Sequence, residues 1–420
     1  MKTIYLVDYL SKHFPIGYPS WTPADIVSHF LTEFGVDVKI EPHTDGKLLF
    51  LYKYDMIGAK WTLPLTHECR GIILRNSNEG WEVMSYPFNK FFNLGEGYCP
   101  ISKEEDFNSR TYELSFISKS DGSCVQVFHD KYKNEWRATT LGTITPAIIH
   151  DSGVKFDDLF WSIVNKEALT ALMVPGRTYL FELCAKLNRV VTRYATDRVY
   201  ILGVRMEDGS FMTYTDIVTS FGLLLSATEN KPELYMPARF PMEVAEVYNK
   251  KQAEEWVERQ ASNKAFGEYS EGFVVYDRFG PVCKMKNSAY LALHHSLSDA
   301  ACTRNAVVDA FFKGSMDDLY PALPEQFQKF ADKLKDWIND FRNYLNTQVS
   351  HPFHFSEFKT RKDYALYVQA LPERERMFSG FFFSNQEGVC DKTKDLGDLF
   401  TKWICSNYVK YIDFFKAMEK

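Results

Sequence analysis

Apolar and polar positions fall into two regimes along this chain, one with strand-like runs and one with helical spacing. Short apolar runs bounded mostly by Gly, Asp or Asn predict strands at 47–54, 71–75, 114–118, 124–129, 178–184, 199–204 and 272–276. Helical spacing between them predicts helices at 21–34, 157–173 and 241–261. From about Ser288 the strand signal fades, and apolar residues recur every three or four positions at 290–312, 325–347, 357–371 and 396–418. The expected organisation is a mixed α/β catalytic domain over 1–290 followed by an all-helical domain over 291–420. No internal repeat or low-complexity tract interrupts it.

Composition narrows the class. In 420 residues, 45% hydrophobic and 16% aromatic content suffices for sizeable cores. No apolar run reaches bilayer length, and Asp8 and Lys12 interrupt the N-terminal stretch, so a soluble, cytoplasmic protein without a membrane partner is expected. The eight cysteines include no CxxC pair, which argues against a zinc site or disulfide framework and for a reducing compartment. A net charge of -6 argues against indiscriminate coating of nucleic acid but leaves room for a local basic channel.

Several common sites are absent: there is no GxxxxGK[ST] loop, no HExxH and no GxSxG, and Gly95-Glu96-Gly97 lacks the third glycine of a dinucleotide loop. The informative run is Ser118-Lys119-Ser120-Asp121-Gly122-Ser123, between two expected strands. Alone it reads as a hairpin turn, with Asp-Gly supplying the backbone angles and Lys119 solvated. Its companions change that reading: Glu182 within Phe181-Glu182-Leu183, Glu271 before Gly272-Phe273-Val274-Val275, and the alternating pair in Cys283-Lys284-Met285-Lys286. Strand alternation puts Lys284 and Lys286 on one face, where a polyphosphate is a natural counter-ion. Beside them, Glu271 would hold a divalent metal. Each residue alone has a plain structural reading; all of them in this order do not.

With these residues the chain resembles the covalent nucleotidyltransferases, the superfamily of ATP-dependent ligases and mRNA capping enzymes. Leu51-Tyr52-Lys53-Tyr54, Leu63-Pro64, His67-Glu68-Cys69-Arg70-Gly71-Ile72, Pro87-Phe88-Asn89-Lys90-Phe91-Phe92-Asn93-Leu94, Asn188-Arg189-Val190-Val191 and Val204-Arg205 make it similar to the tRNA-repair RNA ligases of T-even phages, the RNA ligase 1 type. The likeness runs from about Leu49 to Leu319. It implies an α+β fold: a nucleotidyltransferase (ligase adenylation) domain with antiparallel sheets, plus an all-helical C-terminal domain that would specify RNA or tRNA. DNA ligases and capping enzymes carry a small β-barrel at that point, so the helical tail argues against both.

The resemblance implies roles residue by residue. Lys119 would attack the α-phosphorus of ATP, Tyr52 would line the nucleotide pocket, and Arg70 and Lys90 would contact the nucleotide and its phosphates. Glu182 would meet the ribose, Lys284 and Lys286 the triphosphate, and Glu271 the metal, magnesium or manganese. Asp317 in Gly314-Ser315-Met316-Asp317-Asp318-Leu319 matches a metal-associated carboxylate, although an aspartate capping a short helix reads equally well. The implied reaction joins a 5′-phosphate to a 3′-hydroxyl of single-stranded RNA or a cleaved tRNA anticodon loop, beside a separate end-healing kinase and phosphatase, in the cytoplasm of a phage-infected cell. Leu141 departs from the pattern, since a basic residue can precede the glycine that Gly142 matches; Arg137 is the residue that would replace it.

RNA contacts are expected at Lys186, Arg189, Arg193 and Arg198 with Tyr194 and Tyr200, or at Lys359, Arg361 and Lys362 with Tyr364 and Tyr367. The run Phe381-Phe382-Phe383 reads as core. Three alternatives remain: a guanylyltransferase, a DNA ligase, or a module that holds RNA without catalysis.

Overall fold

Thr22 opens the first long helix by a reciprocal cap: its hydroxyl accepts the Asp25 N–H, and the Asp25 carboxylate accepts the Thr22 N–H at 2.5 Å. Pro23 occupies the first turn, and Gly35 ends the helix at φ 62°. This helix, α2 (Pro23–Phe34), follows α1 (Tyr5–His13), and both pack apolar faces on one sheet through Leu6, Leu10, Ile26 and Phe30. The computed structural model describes residues 4–17, 21–55, 58–149, 152–188, 194–225, 234–260, 271–288, 304–314, 316, 320, 325–348, 360–385, 389 and 395–416. The chain divides into two compact units, Met1–His294 and His295–Lys420.

The first unit is built on three sheets. Strands β1 (Val36–Pro42), β2 (Leu48–Tyr54), β3 (Arg70–Asn76) and β4 (Trp81–Ser85) form an antiparallel meander. Alternation sorts its residues, with Phe50, Tyr52, Ile72 and Leu74 under the two helices and Leu49, Leu51 and Ile73 on the opposite face against Phe128 and Ile144. The connection to β3 carries α3 (Pro64–Glu68).

Beyond β5 (Phe92–Asn93) and α4 (Glu104–Asn108) come β6 (Ser115–Lys119), β7 (Ser123–Asp130) and β8 (Glu135–Thr140). After α5 (Phe156–Ile163) and α6 (Lys166–Ala171) follow β9 (Thr178–Cys184), β10 (Arg198–Arg205), α7 (Tyr214–Leu225), β11 (Arg239–Pro241), α8 (Lys250–Gln260), β12 (Gly272–Asp277) and β13 (Gly280–Lys286). The second sheet has the order β10-β9-β7-β8, and the third β11-β6-β12-β13-β5, antiparallel except for the β13–β5 pair. Phe160, Leu169, Ile217 and Phe221 cover one face of the second sheet. The third is covered by α8, whose Trp256 stacks on Phe116 with centroids 4.4 Å apart. Each sheet thus has one apolar face sealed by helices.

Two expected helices are corrected. The span 157–173 is two helices, because Val164 leaves helical geometry and Asn165 caps the second by accepting the Ala168 N–H at 3.0 Å. In 241–261, Pro241 ends β11 and, among the described residues, only Lys250–Gln260 is helical. The second unit carries helices at Arg304–Phe312, Glu325–Gln348, Arg361–Ala370, Ser379–Ser384 and Leu396–Asn407, and no strand among its described residues. Phe330, Leu334, Ile338, Phe341 and Leu345 bury one stripe of its longest helix. Phe381 and Phe382 are core as read, whereas Phe383 is exposed.

Candidate active site

The motif run around Lys119 is not a hairpin. Strand β6 pairs with β11 and β12, and β7 pairs with β8 and β9, so Ser120–Gly122 carries the chain from the third sheet to the second. Lys119 is the last residue of β6, at the mouth of the crossing. Register then assembles the face around it. Gly272 is opposite both Lys119 and Lys286, and Val274 opposite both Ile117 and Lys284. Cross-strand partners share a face, so both motif lysines of β13 lie on the Lys119 side, while Phe116, Phe273, Cys283 and Met285 fill the core beneath α8. Gly272 makes the approach possible: its φ is 134°, and a Cβ there would lie 2.2 Å from the Met285 carbonyl oxygen.

Glu271, just before β12 and 4% exposed, sits between the two lysines. One carboxylate oxygen is 2.5 Å from the Lys119 Nζ and the other 2.5 Å from the Lys286 Nζ. Glu182 reaches the crossing from β9 and accepts the Gly122 N–H at 3.0 Å. Burial pushes its carboxyl up to about 7; Lys119 opposes the rise, and Glu271 and Asp121 add to it. The Asp121 N–H donates to the Tyr194 hydroxyl at 2.9 Å, which pins the turn from a third side. Lys119, Glu182, Glu271, Lys284 and Lys286 are therefore brought together.

The other candidates are placed less directly. The Arg70 guanidinium donates to the Asn89 carbonyl at 3.3 Å and stacks over Phe91; its charge also reaches Cys124 and Tyr276, both of which feel Glu182 and Lys119. The Lys90 ammonium lies within 5.2 Å of the ring centroids of Tyr54, Trp61 and Phe92, an aromatic cage. Tyr52 is fully buried beneath α2 with Phe30 and Phe50, and its hydroxyl has no hydrogen-bond partner among the described residues. Asp317, Arg189, Arg193 and Lys359 lie outside the described residues. Tyr364 is core, donating its hydroxyl to the Phe382 carbonyl at 2.8 Å.

Arg137, the residue expected to replace a basic side chain at position 141, is held by its neighbours. Its guanidinium is spent on the Asp130 carboxylate at 3.5 Å and the Ile144 carbonyl at 3.1 Å. Residues not singled out from sequence also border the site. Tyr276 follows the Val274 face and is pushed up by burial, and Cys124 is opposite Glu182 across β7 and β9. Only their strand period could have marked them. A neighbouring hollow of about 200 Å³ is lined by Ile117, Gly203, Tyr214, Arg239, Tyr276 and Arg278, among others, but by none of the five clustered residues.

Among the described residues no group of three His, Cys, Asp or Glu side chains could hold a metal by itself. Glu271 and the nearby Glu182 suit a hard cation that takes its remaining ligands from phosphate oxygens and water, as magnesium usually does.

A family model described as RNA ligase matches residues 68–312, more than half of the chain. The chain belongs to the RNA ligase family. It is an enzyme of that kind, an ATP-dependent RNA ligase. An RNA ligase of Rhodothermus phage RM378 is 26% identical over 93% of this chain and 95% of its own length. A protein of Autographa californica nuclear polyhedrosis virus whose name pairs a polynucleotide kinase with an RNA ligase is 27% identical over 74% of this chain, which spans 43% of that protein. Among solved structures, an archaeal ATP-dependent RNA ligase, form 1, aligns at 13% identity with a TM-score of 0.42, covering 75% of this chain and 74% of that one.

Several motif residues of this RNA ligase hold the fold. The Glu68 carboxylate accepts the Tyr5 and Leu6 N–H groups at the start of α1, at 3.2 and 2.9 Å, and the Tyr86 hydroxyl at 3.2 Å. Arg205 is buried between Tyr86 and Phe211 and donates to Asn89 at 2.9 Å. Asn188 donates to the Ser123 hydroxyl at 2.7 Å, bracing the start of β7. Among the described residues no helix is long and apolar enough to cross a membrane.

Proposed function

We propose that this ligase seals RNA breaks by two successive transfers of AMP, first onto Lys119 and then onto an RNA 5′-phosphate. The observation that carries this reading is one amine at the joint between two sheets, paired with a buried carboxylate and sharing its face with two further lysines. In the first transfer the Lys119 nitrogen attacks the α-phosphorus of ATP, a P–N bond forms, the bond to the bridging oxygen breaks, and pyrophosphate leaves. Lys284 and Lys286 lie on the face where that charge departs, which suits a reaction limited by alignment and neutralisation of oxygen charge.

The amine must give up its proton to attack. In the nucleotide-free chain Glu271 favours the ammonium, and its Oε2, 2.5 Å away, is the acceptor already aligned with that proton. A bound magnesium ion would neutralise phosphate oxygens and compete with the Lys119 ammonium for Glu271. Glu182, fixed by the Gly122 N–H, is set to take the ribose hydroxyls, and Arg70 to meet phosphate at the cleft edge. In the second transfer the RNA 5′-phosphate oxygen takes the AMP and Lys119 is released; the RNA 3′-hydroxyl then displaces AMP and closes the phosphodiester.

The substrate we infer is single-stranded RNA with a 5′-phosphate and a 3′-hydroxyl, in particular a tRNA cut in its anticodon loop, in the cytoplasm of an infected cell. The pairing of kinase and ligase in the name of one relative supports a partner activity that prepares such ends. The helical second unit would select the RNA. Sealing tests this: a 5′-phosphorylated single-stranded RNA should circularise with ATP, while nicks in duplex DNA stay open. Efficient closure of DNA nicks would reject the substrate assignment.

A further inference from the structure

The face of the first sheet that packs on the second changes character at one end. Leu49, Leu51 and Ile73 fill its apolar part. Past Leu51 the same face presents Lys39, opposite Leu51 across β1 and β2, and Lys53, opposite Asp37 on β1 and Arg70 on β3. The two lysines converge on one glycine. The Lys39 Nζ donates to the Gly142 carbonyl at 2.7 Å, and a Cβ on Gly142 would lie 3.2 Å from the Lys53 Nζ. Together with Asp37, Leu51, Tyr54 and Asp55 they line a hollow of about 220 Å³.

The Lys53 ammonium makes neither a salt bridge nor a hydrogen bond among the described residues, although three charged side chains act on it. Its ammonium is held below the ordinary lysine value, first by its recessed setting and then by Lys39 and Arg70, against the pull of Asp37. Asp55 is engaged with the Gly58 N–H at 2.9 Å. Packing the Lys39, Lys53 and Arg70 charges together is unfavourable, Asp37 offsets only part of it, and an arriving anion relieves the rest. Arg70 joins this cluster to the reaction centre, since its charge is felt at Lys53 on one side and, on the other, at Cys124 and Tyr276 beside Lys119.

We infer that Lys39 and Lys53, at the Gly142 loop, grip a phosphate of the RNA backbone and lead the strand past Arg70 to Lys119. This inference rests on the RNA-sealing reading above and adds to it where the substrate lies. The sugar–phosphate chain is the occupant rather than the ATP triphosphate, because on the reading above Lys284 and Lys286, on the Lys119 face, would serve the latter.

Full-length Lys53→Ala and Lys39→Ala/Lys53→Ala proteins test it, with Lys53→Arg as the conservative control and thermal melts to show folding. Transfer of label from ATP to the protein should stay within about twofold of the parent, while the KM for 5′-phosphorylated single-stranded RNA rises by about tenfold per lysine. The slope of log affinity against log salt should shrink by about 0.7 per lysine removed. Lys53→Arg should restore both. An unchanged KM and salt slope would overturn the inference, and so would loss of labelling with normal RNA affinity, which would assign the lysines to the nucleotide. Anisotropy of a fluorescent 5′-hydroxyl RNA, which cannot react, reads the grip separately. A parent that binds this RNA through Lys53 but takes no label would refute the transfer reading and leave the grip standing.

Discussion

Lys119 and Glu271, 152 residues apart in sequence, meet with their Nζ and Oε2 atoms 2.5 Å apart, and the second oxygen of the same carboxylate is held by Lys286. One anion between two cations explains how three charged side chains share a nearly dry face.

Glu271→Gln removes the negative charge that the two lysines share. With Glu271 and the Lys286 side chain both less than a tenth exposed, the loss of stability should be about 3 kcal/mol. Urea melts measure it, and labelling by ATP should fall at least about 100-fold in the fraction that folds. A variant as stable and active as the parent would show that the carboxylate does neither job.

Glu182 yields a pH prediction with a definite sign. Its carboxyl is raised from 4.5 to about 7 by burial, so the native chain holds a proton that the unfolded chain has lost between those values. Parent stability should therefore fall as pH rises through that window, by up to about 3 kcal/mol. Glu182→Gln has no proton to lose and should gain on the parent from pH 5 to pH 8 while losing AMP transfer. Parallel melting curves for the two proteins across that range would contradict the assignment.

Gly272→Ala tests the register that carries the site. The new methyl would meet the Met285 carbonyl at 2.2 Å in a backbone conformation that disfavours any side chain. Destabilisation of at least about 3 kcal/mol is expected, with loss of labelling, because Lys119 and Lys286 are both aligned through this residue.

Glu68→Ala should behave oppositely. It strips three donors of their acceptor at the start of α1 and at Tyr86, costing about 2–4 kcal/mol in denaturant melts. The folded fraction should take label at the parent rate, because Glu68 holds Tyr5, Leu6 and Tyr86 at the start of α1.

How much of this was legible in the sequence follows from the physics of each signal. Lys284 and Lys286 were readable because a strand's two-residue period fixes their common face. The crossing at Lys119 was not, since Asp-Gly is equally a hairpin signature and the strands that decide the matter lie far along the chain. Val36, Val38 and Ile40 alternate in β1 directly after a helix, a stretch too short to stand out by period, whereas Glu135–Thr140 offers so little apolar content that only pairing with β7 makes it a strand. Tyr52 looked like a pocket residue by resemblance, and the sheet's pleat turns it beneath α2. Lys53 was hidden because its run reads as apolar, and its relation to Gly142 exists only in three dimensions.

The most direct measurement is incubation of the full chain with α-labelled ATP and magnesium, followed by denaturing electrophoresis, for the parent and for Lys119→Ala. The account predicts label retained on the parent polypeptide, released by pyrophosphate, and none on Lys119→Ala. Label on the alanine variant equal to that on the parent, or none on a folded parent, would contradict it.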